Sequence, residues 1–346
     1  MRNIGDVLLA TPALRVLREN YPDAHITVIV NSGTEAMLDG NPHIDRLLVY
    51  DRDIKKASFA KRLKYEFGFL KEIIKSRFDM VVDYTATDRP AWYSLLSRAQ
   101  VRLAYRQRST RSLIRRHAYT NVFWIPRSEA QHEVERHLWL LKMASLHTKE
   151  TSLCMAPNGG ADAWAENLLA SHSMVSGKGK KIVHVHPVSR WLFKCWPNEN
   201  MSAVMDWLAL ERSASVIMTC SGIPEEMERA QAIWEKCKSK PLFLGGNTTL
   251  QQVSALSRRA DCFFGVDTAP MHMAAAVGTP VVALFGPTGY KNWQPWCKQR
   301  EVLHKPCACN QSGGKPVSDI CDWQSTRDCM NKITVEEAKA ALTRFI

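Results

Sequence analysis

From Lys181 to Phe285, short apolar runs alternate with stretches whose apolar residues recur at helical spacing. The runs at 181–186, 215–220, 241–244, 261–264 and 279–285 read as strands, and 200–212, 225–238 and 250–259 read as helices. Strands that are apolar throughout, joined by helices, confine such a chain to parallel sheets covered on both faces. The first half carries the same alternation, with helices at 7–20, 34–40, 60–76 and 90–98 and strands at 24–31, 47–50, 79–84 and 101–105. Helices at 129–145 and 161–173 follow, then a Ser/Gly/Lys-rich connector over 171–180. Two successive series predict an α/β chain of two doubly wound domains, 1–172 and 180–346. A last helix, 335–345, opens with a capping box at Thr334–Glu337, and either domain can receive it. Ligands of such folds lie at the carboxyl ends of the strands, so two facing domains imply a cleft with one substrate on each side.

The chain enters at a helix-entry loop, Met1-Arg2-Asn3-Ile4-Gly5-Asp6, with no strand before it. A doubly wound domain feeds that loop from a central strand. Either the fold lacks this strand, or the recorded start is late and about six apolar residues lie upstream. The second reading is preferred, so the first N-terminal strand is expected to be missing from the recorded chain.

The densest local signal is 265–287, Gly-Val-Asp-Thr-Ala-Pro-Met-His-Met-Ala-Ala-Ala-Val-Gly-Thr-Pro-Val-Val-Ala-Leu-Phe-Gly-Pro. A strand runs into Gly265, and a helix opens at Asp267-Thr268-Ala269-Pro270. Thr268 suits the N-cap and Pro270 the first turn, where a missing N–H costs nothing. The free amides of that turn and the positive helix end form an anion site. An ordinary capped crossover would read the same way, but Asp267 and His272 beside the cap favour a phosphate-bearing ligand.

Three further segments fall at strand ends. Gly5 permits close approach, and Asp6 is either a helix cap or a general base. In His186–Pro197, Ser189 can offer a hydroxyl and Lys194 a point charge to a diphosphate. His184 and His186 share a strand face without a third ligand nearby and read as structural. At Cys220–Glu226, Glu226 can hold ribose hydroxyls or merely favour a helix start. No G-x-G-x-x-G, Walker or G-x-S-x-G motif occurs, which argues against dehydrogenase, P-loop and α/β-hydrolase chemistry.

The chain carries 46 basic and 34 acidic residues, a net charge of +12. Arg98, Arg102, Arg106, Arg108, Arg111, Arg115 and Arg116 fall within nineteen residues. Such a cluster fits a phosphorylated substrate, an anionic membrane face or nucleic acid. Dispersed aromatic residues and the lack of a nucleic-acid motif argue against the last. No apolar run reaches membrane-spanning length and no signal peptide is legible, so the ten cysteines are expected in a reducing cytoplasm. Cys307, Cys309, Cys321 and Cys329 are either buried thiols or a loose four-thiolate zinc set.

Taken together, Gly5-Asp6…Thr11-Pro12, Lys194-Cys195-Trp196 and Asp267-Thr268-Ala269-Pro270-Met271-His272 resemble the lipopolysaccharide heptosyltransferases, glycosyltransferase family nine, in order over almost the whole chain. Ser189–Trp196 and Trp293-Gln294-Pro295-Trp296 are most similar to heptosyltransferase III, the branch adding the side heptose of the inner core. The resemblance implies a GT-B fold of two facing Rossmann-like domains and inverting transfer from ADP-L-glycero-β-D-manno-heptose. It implies Asp6 as general base, Ser189 and Lys194 in the diphosphate loop, and Thr268 and Ala269 at the helix-end phosphate site. Asp267 would grip heptose hydroxyls with His272 beside it, and Glu226 would touch the ribose. Gly5, Arg102, Arg106 and Arg108 fall on the acceptor side, facing a phosphorylated inner core. No cofactor is expected, and the enzyme is placed at the cytoplasmic face of the inner membrane. Competing readings are a family member with another acceptor and a non-catalytic binder of nucleotides or nucleic acid.

Overall fold

The computed structural model describes residues 3–85, 87–106, 112–126, 131–174, 180–307 and 328–346. The chain divides into two compact units, Met1–Thr151 and Ser152–Ile346. The first contains α1 (Ile4–Leu9), α2 (Thr11–Asn20), β1 (Thr27–Asn31), β2 (Arg46–Tyr50), α3 (Phe59–Lys75), β3 (Met80–Asp83), α4 (Asp88–Ser97), β4 (Val101–Tyr105), α5 (Leu113–His117), β5 (Asn121–Phe123) and α6 (Glu133–Lys142). The second opens with α7 (Gly159–Ser171), β6 (Ile182–His186), α8 (Asn198–Asp206), β7 (Ser215–Met218), α9 (Pro224–Lys236), β8 (Leu242–Phe243) and α10 (Leu250–Arg259). It continues through β9 (Cys262–Val266), α11 (Ala269–Ala276), β10 (Val281–Phe285), α12 (Tyr290–Trp293), β11 (Arg300–His304), α13 (Asp328–Asn331) and α14 (Val335–Leu342).

The second unit is one parallel six-stranded sheet in the order β11-β10-β9-β6-β7-β8. Every residue of β6, β7, β9 and β10 is buried, as continuous apolar strands covered on both faces must be. The order of connection reverses between β6 and β9, and ligands of such sheets bind at this switch point. The segments leaving β6 and β9 carry Ser189, Lys194 and Asp267. Within the sheet His186 stands opposite Gly265. A Cβ on Gly265 would lie 2.5 Å from the His186 carbonyl oxygen and 3.0 Å from the Phe263 ring. Gly265→Ala is therefore expected to destabilise the second unit by about 1–3 kcal/mol, read as a lowered thermal midpoint.

The first unit places β1 beside β2 in one parallel ladder and β3-β4-β5 in another. In the doubly wound order these are the outer places on each side of a central strand. Among the described residues no ladder joins β1 to β3.

Several boundaries differ from the sequence reading. The helix expected over 7–20 is two helices that meet at Ala10. Pro12 has no N–H to give the Leu8 carbonyl, which accepts from the Thr11 hydroxyl at 2.7 Å instead. The expected domain boundary at 172–180 moves to 151. Helix α7 belongs to the second unit because Ala161, Ala165 and Leu169 pack on Ile182, Ile217 and Leu256. Helix α14 also packs on the second unit, where Ala338, Ala341 and Leu342 share a core with Trp196 and Met330. No helix among the described residues is long and apolar enough to cross a membrane.

His184 and His186 form a closed polar network inside this apolar sheet. The Thr219 hydroxyl lies 2.8 Å from His184 Nε2 and 3.0 Å from His186 Nδ1, and Ser257 Oγ lies 2.8 Å from His184 Nδ1. Burial pushes His184 down to about 3 and His186 down to about 4, from an ordinary value of 6.5. Both rings are thus neutral when folded and take up protons only on unfolding as the pH drops below 6.5. The stability they permit is full above that pH and declines as the pH falls toward 4. The slope is half of about 1.4 kcal/mol per ring per pH unit at pH 6.5 and approaches the full value below it, so the second unit should lose about 3 kcal/mol between pH 6.5 and 5. Calorimetric midpoints of the second unit that do not move over this window would contradict the expectation.

Candidate active site

The loop after β6 is held from behind. Cys195 and Trp196 are fully buried, and the Trp196 indole donates to the Ile333 carbonyl at 3.1 Å. Leu192–Lys194 makes one tight turn that aims the Lys194 side chain at the segment after β9. Its ammonium lies 2.7 Å from Asp267 Oδ2 and 3.4 Å from the Asp267 carbonyl oxygen. The Thr288 hydroxyl donates to the same Oδ2 at 2.7 Å. Asp267 is 5% exposed, so its charge needs these partners. Two segments 73 positions apart are thereby clamped at the switch point.

Helix α11 starts beside this clamp. Thr268 occupies the N-cap in extended conformation, as expected, but its hydroxyl turns back to the Val266 carbonyl at 3.2 Å and gives the helix no side-chain cap. The first turn contains Ala269 and Pro270, and His272 is buried on the same helix. An uncapped helix start and an ammonium group are both suited to an anion. The ammonium has three N–H donors, so a lysine already aligned by a carboxylate can still serve a phosphate oxygen.

Ser189 is buried and shapes the loop, accepting from the Trp191 N–H at 3.2 Å. Trp191 is half exposed beneath the Arg190 guanidinium. Glu226 opens α9 and is buried; burial pushes its carboxyl up, and hydrogen bonds from Ser221 together with the Arg190 charge pull it back. Trp293 and Trp296 are half buried. Of the four cysteines of the thiolate set, Cys329 is buried and Cys307 half buried, and Cys309 and Cys321 lie outside the described residues.

In the first unit, Gly5 and Asp6 form the first turn of α1. Asp6 Oδ2 accepts from the Asn3 main-chain N–H at 3.2 Å and from its side-chain amide at 2.9 Å, a capping role at the start of the helix. Sequence reading missed a second carboxylate here. Burial raises Glu133 on α6, Arg136 at 2.7 Å opposes this, and the Asp6 charge raises it further. Arg102, expected on the acceptor side, is bound to carbonyls of its own unit. Its guanidinium donates to the Ala118 carbonyl at 2.7 Å and the Ala99 carbonyl at 2.5 Å. Arg115 is paired with Asp88 at 3.1 Å, Arg106 is exposed, and Arg108 lies outside the described residues. Thr288 was also missed, although its turn follows strand β10 directly and strand-end turns are where such contacts arise.

Comparison with known proteins gives the frame for these groups. Residues 67–318 match the model of glycosyltransferase family 9 (heptosyltransferase). The chain is 31% identical over 299 residues to lipopolysaccharide heptosyltransferase 3 of Escherichia coli, covering 86% of this chain and 84% of the relative. It is 23% identical to the lipopolysaccharide core heptosyltransferase OpsX of Haemophilus influenzae, covering 96% and 91%. Among solved structures, a family 9 glycosyl transferase from Veillonella parvula superposes with TM-score 0.80 at 21% identity, covering 99% of this chain and 94% of that one. The E. coli heptosyltransferase WaaC with ADP superposes with TM-score 0.75 at 20% identity, each chain covered in full. The fold is that of the GT-B heptosyltransferases. An α/β fold with a charged clamp and a helix start at its switch point, a family match over most of its length and a relative above 30% identity lead to one statement: the chain belongs to glycosyltransferase family 9, the heptosyltransferases.

Proposed function

We propose that the protein transfers heptose from ADP-L-glycero-β-D-manno-heptose to a phosphorylated lipopolysaccharide inner core, adding the side heptose to heptose II with inversion. The observation that carries this reading is the Lys194–Asp267–Thr288 clamp beside the start of α11. The donor diphosphate lies against Lys194 and the first-turn amides of α11, and Asp267 meets the sugar hydroxyls. Solved WaaC structures hold ADP and an ADP-2-deoxy-2-fluoro heptose, which supports an ADP-sugar donor. The relative named heptosyltransferase 3 supports the side-heptose acceptor.

In the proposed reaction an acceptor oxygen attacks the anomeric carbon as its proton passes to the Asp6 carboxylate. The bond from that carbon to the β-phosphate oxygen breaks, and its electron pair leaves with ADP. Lys194 and the helix amides stabilise the charge that develops there, the part a metal plays elsewhere. No cofactor is therefore part of the proposal. Mass analysis of the lipopolysaccharide core from a deletion strain tests it. The expected result is a core short of one heptose, restored by the wild-type gene; an unaltered core in a strain that expresses the enzyme overturns the reading.

A further inference from the structure

Helix α3 has two apolar faces, and only one is used. Tyr65, Phe69 and Ile73 form the inner face. The Tyr65 and Phe69 rings each lie 5.5 Å from Tyr50 of β2, and Phe69 lies 5.3 Å from Tyr93 of α4. The two carboxylates of the helix are engaged as well. Glu66 accepts from the Tyr50 hydroxyl at 2.6 Å, and Glu72 from Arg46 at 2.7 Å. On the other side Phe59, Leu63, Phe67 and Ile74 are 77%, 45%, 63% and 48% exposed. Their spacing sets them in one stripe along the helix, about 22 Å from end to end. Lys64, Lys71 and Lys75, all exposed, fall in a row beside the stripe at the same helical spacing. Neither carboxylate of the helix falls within the arc that holds the stripe and the lysine row.

We infer that this face of α3 docks the enzyme on an anionic lipid bilayer, lying in the plane of the interface. An exposed apolar stripe costs free energy in water, and a lysine row beside it complements lipid phosphates. A second copy docked antiparallel would set two lysine rows on the same side, which like charge opposes. The inference rests on the proposed lipopolysaccharide acceptor only in giving the membrane a purpose; the binding itself is independent of the reaction.

The test is co-sedimentation of the full chain with vesicles of phosphatidylglycerol and phosphatidylcholine, and with phosphatidylcholine alone. The wild type is expected to bind the anionic vesicles, and Phe59→Ser with Phe67→Ser to lower that affinity at least about tenfold. Lys64→Glu with Lys71→Glu should abolish the preference for anionic lipid. Transfer to a delipidated core acceptor should be unchanged in all variants, which separates loss of docking from failure of the proposed reaction. Vesicle binding unaffected by these changes overturns the inference. So does a sedimentation velocity profile in which the Phe variants convert a dimer to monomer, or the loss of an acidic protein partner without loss of lipid binding.

Discussion

Lys194→Ala is expected to lower transfer about 10²- to 10³-fold, the usual effect of deleting one group that stabilises charge on a leaving oxyanion. It should also lower stability, because Asp267 would then be buried with, among the described residues, the Thr288 hydroxyl at 2.7 Å left to meet it. Removing one member of a buried ion pair costs about 3–5 kcal/mol. The two effects separate in the double variant Lys194→Met with Asp267→Asn. An amide at 267 still accepts from Thr288 and leaves no orphan charge, so the thermal midpoint should recover most of its loss. Transfer should stay low, and ADP affinity should remain weak by calorimetry. Recovery of transfer along with stability would mean that the lysine only holds the two loops together.

Asp6→Asn should reduce kcat by at least about 10²-fold, the lower end of what general base catalysis contributes. The substitution keeps an oxygen that can accept from Asn3 as Asp6 Oδ2 does, so the helix start should hold and donor affinity should not change. Asp6→Ala would lose the cap too, at about 1 kcal/mol, and mix the two effects. Wild-type turnover in the Asn variant would move the base to another group, with Glu133 the first to examine by the same substitution.

The parts of the fold that the sequence made legible are those where a residue's environment follows from its neighbours in the chain. The run Val281–Phe285 is buried throughout, so its composition alone marks a central strand. Thr334 to Glu337 forms a capping box whose two ends are three residues apart. Strand β5 was missed because Asn121 and Val122 are exposed and show no alternation. Helix α7 was given to the wrong unit because its apolar face says that it packs, not on what. The same limit applies to charge. Counting seven arginines in a cluster shows a basic stretch, but Arg102 and Arg115 are taken up by carbonyls and a carboxylate of their own unit. At the site, Lys194 and Asp267 were each legible as ligand groups, whereas their bond to each other was not. It depends on adjacent strands that lie far apart in the chain.

The anchorage of Trp196 on Ile333 ties the loop that carries Lys194 to a segment 137 positions further along the chain. Met330 closes the same space from another direction, its sulfur 3.0 Å from where a side chain on Gly286 would begin. Residues 328–342 thus act as a keystone behind the loop that carries Lys194. A nonsense mutation late in the gene, or a bulky fusion that loosens this segment, is expected to silence the enzyme by letting Lys194 drift.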